Sequence, residues 1–576
     1  MKTTLILLGA LLILSQYVKS QVAINTDGTA PDNSAGLDVK FTDKGFLPPR
    51  LMTSQRDAIT SPATGLIIYN TTNNRLEYYS GYSTGWTTLL SPGSGWSLTG
   101  NSGTLDGTNF IGTTDNIPFN FKVNNNKAGR IDHILNNTFL GYQAANSNTT
   151  GNNNTAQGSA ALGTNTIGNS NTAIGYRALN FNLAGCNATA IGANAMLYSN
   201  ISSAQYANYN VALGYEALRG VPILTSNTGN YNTALGYQAL WTNSAGSKNT
   251  ASGFQALYWN SEGTENTATG YAALNSNTTG SMNTATGSQA LSLNSSGIYN
   301  TSTGYMSLAT NTIGSSNSAL GCNALVSNDN GDANSALGTN ALKFNTTGFN
   351  NTAVGFQSLQ SNQIGNNNTA VGQNAGSYAL SGYSCTYLGS FSNAYSAYSY
   401  STCIGSGSTI TANFQVRIGD AGTTSIGGFT NWSNISDGRF KEDVTENVPG
   451  LNFIEQLRPV TYRLNRNKIN DYLKVESTYK GEPYSQITTG FIAQEVELAA
   501  QKLGFQFSGV DAPKNNKDMY GLRYAEFVVP LVKSVQEQQQ EILDLEQENQ
   551  NLKSQVEKLT AITDTLVKRL SGIENN

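Results

Sequence analysis

The stretch Asn171-Thr172-Ala173-Ile174-Gly175-Tyr176-Arg177-Ala178-Leu179 recurs along the middle of the chain with small changes. It returns as Asn232-Thr-Ala-Leu-Gly236-Tyr-Gln-Ala-Leu240 and again as Asn351-Thr-Ala-Val-Gly355-Phe-Gln-Ser-Leu359. An internal repeat of this kind constrains the architecture of the whole region that carries it.

The glycine of this stretch sets the period of the repeat. Taking it as an anchor gives sixteen positions, and of the fifteen intervals twelve are 17 residues, two are 22 and one is 16. The anchors are Gly141, Gly158, Gly175, Gly192, Gly214, Gly236, Gly253, Gly270, Gly287, Gly304, Gly321, Gly338, Gly355, Gly372, Gly389 and Gly405. Common two-helix repeats need about 33 residues or more, so the short period favours a β-solenoid with one coil per repeat.

Each repeat predicts two short strands and a turn. Thr-Ala-x-Gly-Tyr alternates as a strand does, and x-Ala-Leu is interpreted as a second strand. The Asn-x-x-Gly between repeats supplies residues that tolerate positive φ. We expect the Ala, the Ile/Leu/Val and the Leu of each repeat to face inward and to stack on their copies. Such small side chains make a thin core, which favours several chains wound round a shared axis.

The repeat resembles the β-roll head of trimeric autotransporter adhesins, whose units carry an Asn-[Ser/Thr]-Val/Ala-x-Gly core. The resemblance covers residues 134–412, although those head units are usually a little shorter. It implies a mainly β, parallel β-roll or β-solenoid rod formed by three copies. The polar rows of the rod are interpreted as solvated ladder residues of a spacer. Cell-surface glycans or a host-surface receptor are the alternative partners.

The charge separates the rod from the last quarter of the chain. Only 12% of the 576 residues are charged; residues 134–405 hold nine charged side chains, whereas residues 437–576 hold 38. A net charge of −4 gives no reason to expect nucleic acid. The single histidine, His133, argues against a histidine metal site or a Ser-His-Asp triad. We expect no metal and no cofactor.

The first twenty residues are typical of a secretory signal peptide. Lys2 precedes an apolar run over residues 5–14, and Val18 and Ser20 occupy the −3 and −1 positions. This run is too short to cross a bilayer, which needs about 20 residues. The sequence predicts a chain that is secreted or at the cell surface, with no membrane-spanning segment after signal removal.

The region that follows, residues 21–133, is predicted to be rich in short β-strands. Gly45-Phe-Leu-Pro-Pro-Arg50-Leu-Met-Thr53 and Gln55-Arg-Asp-Ala-Ile59 are similar to the start of exported tail-fibre-like proteins. We interpret this region as an attachment or receptor-binding tip and an adaptor before the repeats.

The stretch Ile435-Ser436-Asp437-Gly438-Arg439-Phe440-Lys441 holds the reactive groups of the chain. A serine and a lysine at this spacing can form a dyad, in which an uncharged lysine takes the hydroxyl proton and activates the oxygen. Taken alone, the spacing fits a solvated charged turn better.

Motifs downstream reverse that interpretation. Leu457-Arg-Pro-Val-Thr-Tyr462, Gly490-Phe-Ile-Ala-Gln-Glu-Val496 and Leu522-Arg-Tyr524 resemble, in this order, the endosialidase-type C-terminal intramolecular chaperone. That resemblance covers about residues 435–560 and implies an autocleaving Ser/Lys peptidase. It assigns Ser436 as the nucleophile and Lys441 as the general base. The supporting motif residues are Asp437, Arg439, Gln494, Glu495 and Tyr524.

The scissile bond is one of the two peptide bonds that flank Ser436, towards Ile435 or towards Asp437. The Ser436 hydroxyl reaches the carbonyl of Ile435 through a five-membered ring, whereas attack on its own carbonyl needs a strained four-membered ring. Cleavage after Ser436 would need a hydroxyl or a water from elsewhere. The geometry favours the Ile435–Ser436 bond.

The chain ends in a heptad pattern that predicts a coiled coil. Ten of the thirteen core positions are apolar. The d positions are Leu531, Gln538, Leu545, Leu552, Leu559, Leu566 and Ile573, and the a positions are Val535, Ile542, Asn549, Val556, Thr563 and Leu570. A single amphipathic helix packed on a domain is the alternative. A trimer is implied by the resemblance and not by these residues.

Together these features predict an exported homotrimeric fibre or adhesin-like protein whose C-terminal domain directs trimerisation and then releases itself in one turnover. The predicted segments are the signal peptide 1–20, the N-terminal region 21–133, the rod 134–412, a linker 413–434, the chaperone and peptidase domain 435–530 and the coiled coil 531–574. A tailspike-like enzyme that binds or degrades surface polysaccharide is the alternative. Glycan hydrolysis normally needs two carboxylates, and the rod offers only the close pairs Glu262/Glu265 and Asp329/Asp332.

Overall fold

The computed structural model describes residues 21–81, 85–89, 96, 99–199, 202–223, 227–473 and 487–573. The chain divides into two compact units, Met1–Thr114 and Asp115–Asn576. The predicted signal peptide lies outside the described residues. Within the described ranges, no helix has the length and apolar character that a membrane span requires.

The first unit is a small β module. Its elements are β1 (Val22–Asn25), β2 (Leu37–Lys40), β3 (Arg50–Leu51), α1 (Thr53–Asp57), β4 (Ile67–Asn70), β5 (Arg75–Tyr79) and β6 (Trp86–Thr88). Strands β1 and β2 pair in parallel, and β3 to β6 form a four-stranded sheet in that order. Arg56 of α1 reaches across to the buried Glu77 of β5 at 2.6 Å, and Asn70 donates to the same carboxylate at 3.0 Å. This buried ion pair attaches the helix to the sheet.

The second unit begins with a hairpin that leads into the repeats. Strands β7 (Phe119–Val123) and β8 (Asn126–Asp132) are antiparallel, and β9 (Asn137–Leu140) pairs antiparallel with β8. On its other side β9 pairs in parallel with the first strand of the repeat ladder. The hairpin therefore joins the N-terminal end of the ladder by backbone hydrogen bonds.

The repeats form a parallel β-solenoid, as the period predicts. One three-residue strand per coil pairs in register with its copies before and after it, so that Ala156 lies opposite Ala173 and Ala173 opposite Ala190. The ladder strands are β10 (Thr155–Gln157), β11 (Thr172–Ile174), β13 (Thr189–Ile191), β15 (Val211–Leu213), β16 (Thr233–Leu235), β17 (Thr250–Ser252), β18 (Thr267–Thr269), β19 (Thr284–Thr286), β20 (Thr301–Thr303), β21 (Ser318–Leu320), β22 (Ser335–Leu337), β23 (Thr352–Val354), β24 (Thr369–Val371), β25 (Thr386–Leu388), β27 (Thr402–Ile404) and β29 (Val416–Ile418).

Two short parallel pairs lie beside this ladder. They are β12 (Gly185–Cys186) with β14 (Tyr206–Ala207), and β26 (Asn393–Ala394) with β28 (Thr409–Ile410). The ladder itself ends at Ile418, beyond the predicted rod end at residue 412. The mainly β fold and the solenoid rod are confirmed.

Two details of the predicted coil are wrong. The x-Ala-Leu segment is a turn and not a second strand, because two of its residues have left-handed backbones, for example Gln289 at φ 57° and Leu291 at φ 51°. Bonds to neighbouring coils hold this conformation: Gln289 N–H donates to the Tyr271 carbonyl at 2.8 Å, and Leu291 N–H donates to the Ser307 carbonyl at 3.0 Å. Such turns cannot extend a strand ladder.

The second error concerns the Ile/Leu/Val position of each repeat. Side chains alternate across a strand, so when the central Ala319 faces inward, its neighbour Leu320 faces outward and is 50% exposed. The solenoid core instead consists mainly of the central Ala of the ladder strands and of the Ala-Leu of the turns, such as Ala290 and Leu291, which are both fully buried. The outward Leu, Ile and Val side chains form a column on the rod surface.

The interior also holds two columns of asparagine, neither of which was predicted to be buried. In the first, Asn283 donates from Nδ2 to the Gly297 carbonyl at 2.8 Å, and its Oδ1 accepts from the backbone N–H of Asn300 at 2.9 Å. In the second, Asn277 Nδ2 donates to Asn260 Oδ1 at 2.7 Å. These amides satisfy buried backbone groups that a dry interior would otherwise leave unpaired. The signal for them was the recurrence of Asn at the repeat period.

Replacing one buried asparagine should therefore weaken the rod. We expect Asn283→Ala to lower the free energy of unfolding by about 2 kcal/mol, because it leaves the buried Asn300 N–H without its partner and removes one of the two amides that donate to the Gly297 carbonyl. The shift of the denaturant midpoint, at an unchanged dependence of the free energy on denaturant concentration, measures this difference. Asn330→Ala, at an exposed position of the same rod, is the control and should leave the midpoint unchanged. Equal midpoints for both variants would contradict the role of the column.

The C-terminal part of the second unit is a small α/β domain followed by a long helix. Its elements are α2 (Leu451–Ile454), β30 (Val460–Tyr462), α3 (Arg466–Leu473), β31 (Thr488–Gly490), α4 (Ala493–Lys502), β32 (Val510–Asp511), β33 (Gly521–Leu522) and α5 (Val528–Ile573). Strand β30 pairs antiparallel with β31, and β32 with β33. Phe453, Val496 and Phe527 are buried at its centre and hold α2, α4 and the start of α5 together.

Candidate functional site

Ser436 and Lys441, the two residues predicted to form a dyad, lie within hydrogen-bond distance of each other. Asp437 caps a single 3₁₀ turn over Gly438–Phe440, and the Lys441 N–H donates to the Gly438 carbonyl at 3.2 Å. This turn brings the chain back on itself, so that Lys441 Nζ donates to Ser436 Oγ at 2.8 Å. The distance is that of a direct hydrogen bond, which is the reach a general base needs.

Asp437 and Arg439 stabilise this turn and do not contact the dyad through a hydrogen bond in the described residues. Asp437 accepts from the Arg439 backbone at 3.0 Å and from the Arg439 guanidinium at 3.0 and 3.1 Å. These hydrogen bonds from Arg439 hold the pKa of Asp437 below its ordinary value. The pair therefore fixes the local backbone between Ser436 and Lys441.

The dyad lies on an exposed segment. Ile435, which carries one candidate scissile carbonyl, is 94% exposed, and Phe440 beside Lys441 is 76% exposed. A lysine works best as a base where water is excluded, because an apolar environment disfavours its charged form. In a single chain Ser436 and Lys441 are therefore in contact with each other but are not covered.

The other predicted motif residues lie within the folded domain. Glu495 accepts a hydrogen bond from Arg458 Nε at 3.1 Å, and the Tyr524 hydroxyl accepts one from the Phe491 N–H at 3.1 Å. Gln494 lines an open groove of about 820 Å³ together with Tyr472. Among the described residues, no hydrogen bond or ion pair joins Gln494, Glu495 or Tyr524 to the Ser436 segment. The structure therefore does not bring these three residues together with the dyad.

Gly490 explains why three separate motifs meet in this domain. A Cβ at Gly490 would lie 2.3 Å from Tyr524 Oη and 3.3 Å from Tyr462 Cε1. A side chain at position 490 would displace the Tyr524 hydroxyl, which packs over the strand end and accepts the Phe491 N–H. The motifs around Tyr462, Gly490 and Tyr524 thus maintain the fold of the domain.

Comparison with protein families identifies this domain. Residues 436–505 match the family described as the chaperone of endosialidase. The match begins at Ser436, the first residue of the dyad. Residues 23–104 match a phage tail like trimerisation region. These findings confirm the resemblance to tail-fibre-like proteins with an endosialidase-type chaperone domain. No curated protein matches the chain.

The rod surface carries aromatic rows whose geometry suits stacking within the rod. Tyr215, Tyr237, Phe254 and Tyr271 lie on successive coils, with ring centroids 5.0–5.3 Å apart and planes within 15°. Their faces are occupied by one another, so a sugar ring has little aromatic face to stack on. The rows therefore reinforce the coil stack.

Three carboxylates of the acidic pairs in the rod bond to neighbouring coils. Glu265 binds Lys248 at 2.8 Å, and Asp332 accepts from the Ser315 N–H at 2.7 Å. Asp329 accepts from the Thr312 hydroxyl at 2.5 Å. Each of these carboxylates bonds to the coil before it and so contributes to rod stability.

A carboxylate that the sequence analysis missed lies where the chaperone domain meets the rod. The Asp518 side chain is only 4% exposed. Burial alone would raise the pKa of Asp518, but hydrogen bonds from Thr411, Lys514 and Gln415 hold it below its ordinary value. Asp518 stands in a polar loop without a recognisable motif, and its rod partners lie about a hundred residues away. Nothing local in the sequence could have marked it.

Proposed function

We propose that the chain is a trimeric fibre whose C-terminal domain guides assembly and then cuts itself from the rod. The observation that carries the cleavage step is the 2.8 Å hydrogen bond from Lys441 Nζ to Ser436 Oγ. The trimerisation match and the chaperone match support the fibre and its assembly domain. The tail-fibre-like domains suggest that the protein is extracellular or phage-associated.

In the proposed reaction, uncharged Lys441 takes the proton of the Ser436 hydroxyl. The Ser436 oxygen attacks the Ile435 carbonyl carbon through a five-membered ring, and the Ile435–Ser436 peptide bond breaks as the Lys441 proton passes to the Ser436 nitrogen. An ester links the two residues. Water then hydrolyses this ester and leaves a carboxylate on Ile435 and a free amine on Ser436. Cleavage on the Asp437 side would instead need an external hydroxyl or water.

The exposure of the dyad suggests when this reaction takes place. The side chains of Ile435 and Phe440 are exposed to solvent in a single chain. The ammonium group of an exposed lysine such as Lys441 is strongly hydrated. Assembly of three copies would cover these apolar side chains and remove water from Lys441. We therefore expect cleavage to follow assembly, so that the chaperone domain is cut only after it has acted.

Self-association has two candidate surfaces besides the trimerisation region. The outward column of the rod, which includes Leu213, Leu320 and Leu388, is exposed and apolar. The a and d side chains of α5, including Leu552 and Leu559, are also exposed. Apolar rows of this length on a single chain are typical of surfaces that other copies cover. We propose a homotrimer that uses both, with glycans or a surface receptor as further partners of the finished fibre.

The proposal is tested by the mass of the purified protein. Under denaturing conditions we expect two polypeptides, the smaller one of about 140 residues beginning at Ser436. Intact-mass spectrometry identifies both new termini and so distinguishes the two bonds that flank Ser436. A single full-length polypeptide from a preparation that light scattering shows to be trimeric would contradict self-cleavage.

A further inference from the structure

The last coil of the solenoid ends differently from every coil before it. Along the first asparagine column, each side chain accepts from a backbone N–H of the next coil; Asn368 Oδ1, for example, accepts from the Cys385 N–H at 3.0 Å. Gln415 occupies the same column, four residues before Gly419, and its own N–H donates to Ser401 Oγ at 3.1 Å. No further coil follows Gln415 in the ladder of described residues.

The chaperone domain supplies the missing partner. Gln415 Nε2 donates to Asp518 at 3.1 Å, and the Thr411 hydroxyl donates to the same oxygen at 2.5 Å. Arg417 of β29 lies 3.5 Å from that oxygen. The neighbouring Asn515 donates from Nδ2 to the Thr411 carbonyl at 2.9 Å. Three side chains and one carbonyl of the last coil therefore bind one loop of the chaperone domain.

This loop is itself held in place. Asp518 accepts from the backbone N–H groups of Lys514 at 3.2 Å and Met519 at 3.0 Å. Tyr472 at the end of α3 donates from its hydroxyl to the Asn516 carbonyl at 2.8 Å. The carboxylate is thus preorganised towards the rod, which lowers the cost of binding it.

Solenoids need a cap, because the terminal coil otherwise exposes unpaired backbone and an open core. We propose that the Asp518 loop is the C-terminal cap of the rod, that it fixes the register of the last coil, and that it keeps the chaperone domain bound to the rod after the backbone is cut. The partner is the terminal coil of this chain, residues 411–417. The part about the cut chain rests on the proposed self-cleavage, whereas the cap does not.

The position of this contact sets the register of the last coil. Neighbouring repeats are so alike that a coil could pair with the wrong copy. Asp518 recognises Thr411, Gln415 and Arg417 together, and this combination occurs only in the last coil. A coil held in this way gives the rod one fixed starting point. The buried carboxylate also makes the contact selective, because a wrong coil would leave its charge unpaired.

The cap is tested in the full chain with a cut that does not depend on the dyad. The parent protein carries Ser436→Ala and a site-specific protease sequence inserted between Gly427 and Gly428, both exposed. After proteolysis and gel filtration under native conditions, we expect the C-terminal fragment to elute with the rod. Asp518→Ala should release it, with dissociation faster by about 100-fold.

Two further variants make the outcome decisive. Asp511→Ala removes a carboxylate of the same domain that binds Arg523 at 3.0 Å and should leave the fragment on the rod. Thr411→Val acts from the rod side, keeps the chaperone domain intact and should speed dissociation about tenfold. Release of the parent fragment at once, or equal retention in the parent and in both rod-contact variants, would overturn the cap. Because Ser436 is absent from all of these proteins, the result stands whether or not the chain cuts itself.

Discussion

Ser436→Ala is expected to leave the chain in one piece, with no fragment of about 140 residues. The hydroxyl is the only nucleophile that the proposed reaction uses, so its loss should slow cleavage by at least about 10⁴-fold. The variant keeps the 3₁₀ turn, because Asp437 and Arg439 form that turn without Ser436. Gel electrophoresis and intact-mass spectrometry measure the uncut fraction.

Lys441→Arg separates the role of base from the role of positive charge. Arginine has similar reach but stays protonated in proteins, so it can donate to Ser436 and cannot take its proton. We expect this variant to remain uncut as well. Matched controls are Ser433→Ala in the same exposed segment and Lys502→Arg at the exposed end of α4, both of which should be cut like the parent. A fragment with unchanged termini in both dyad variants would disprove the mechanism.

The period of the rod was readable from the sequence because a backbone requirement repeats with it. Gly287 has φ 133°, and a Cβ there would lie 2.5 Å from the Gly304 carbonyl oxygen. Every coil meets the same constraint, so glycine marks each one. Leu291 also has a left-handed backbone, but a leucine carries no such signature. The second strand was therefore predicted where the structure has a turn.

The directions of side chains and the long-range contacts were harder to predict from the sequence. The apolar residue after the central Ala suggested a core position, yet the alternation of a three-residue strand places Leu320 outside. The spacing of Ser436 and Lys441 predicted their contact only together with the downstream motifs, and one short turn joins the two residues. The contact of Asp518 with Thr411 joins two domains and has no periodicity, so only the structure could show it.

A substitution in the C-terminal helix is expected to prevent trimerisation. Helix α5 runs over Val528–Ile573, and its buried residues, Pro530 and Ser534, lie only near its start. A helix of this length depends on packing for its stability, and the apolar a and d side chains beyond that point are exposed in the single chain. A coiled coil with two other copies would bury them.

Leu552→Asp places a carboxylate at the centre of that coiled coil in each chain. Loss of the leucine alone costs about 2–5 kcal/mol per chain, and a buried charge without a partner costs more. We expect the newly made protein to be monomeric by light scattering and to give little soluble rod. Ser554→Asp introduces the same charge two residues away, at an outward heptad position, and should leave the trimer intact.

Removing α5 before or after assembly distinguishes two roles for the helix: it is needed only while the three chains assemble, or it is needed permanently to hold the trimer together. If α5 serves only to align three chains, proteolysis of the assembled Asp518→Ala protein, which should release the C-terminal fragment, should leave a trimeric rod, because by then the rod surfaces hold one another. Leu552→Asp acts before assembly and should prevent that state from forming. A rod that falls apart when the helix is removed late would show that α5 holds the fibre together, and a Leu552→Asp protein that still assembles would show that trimerisation begins elsewhere in the chain.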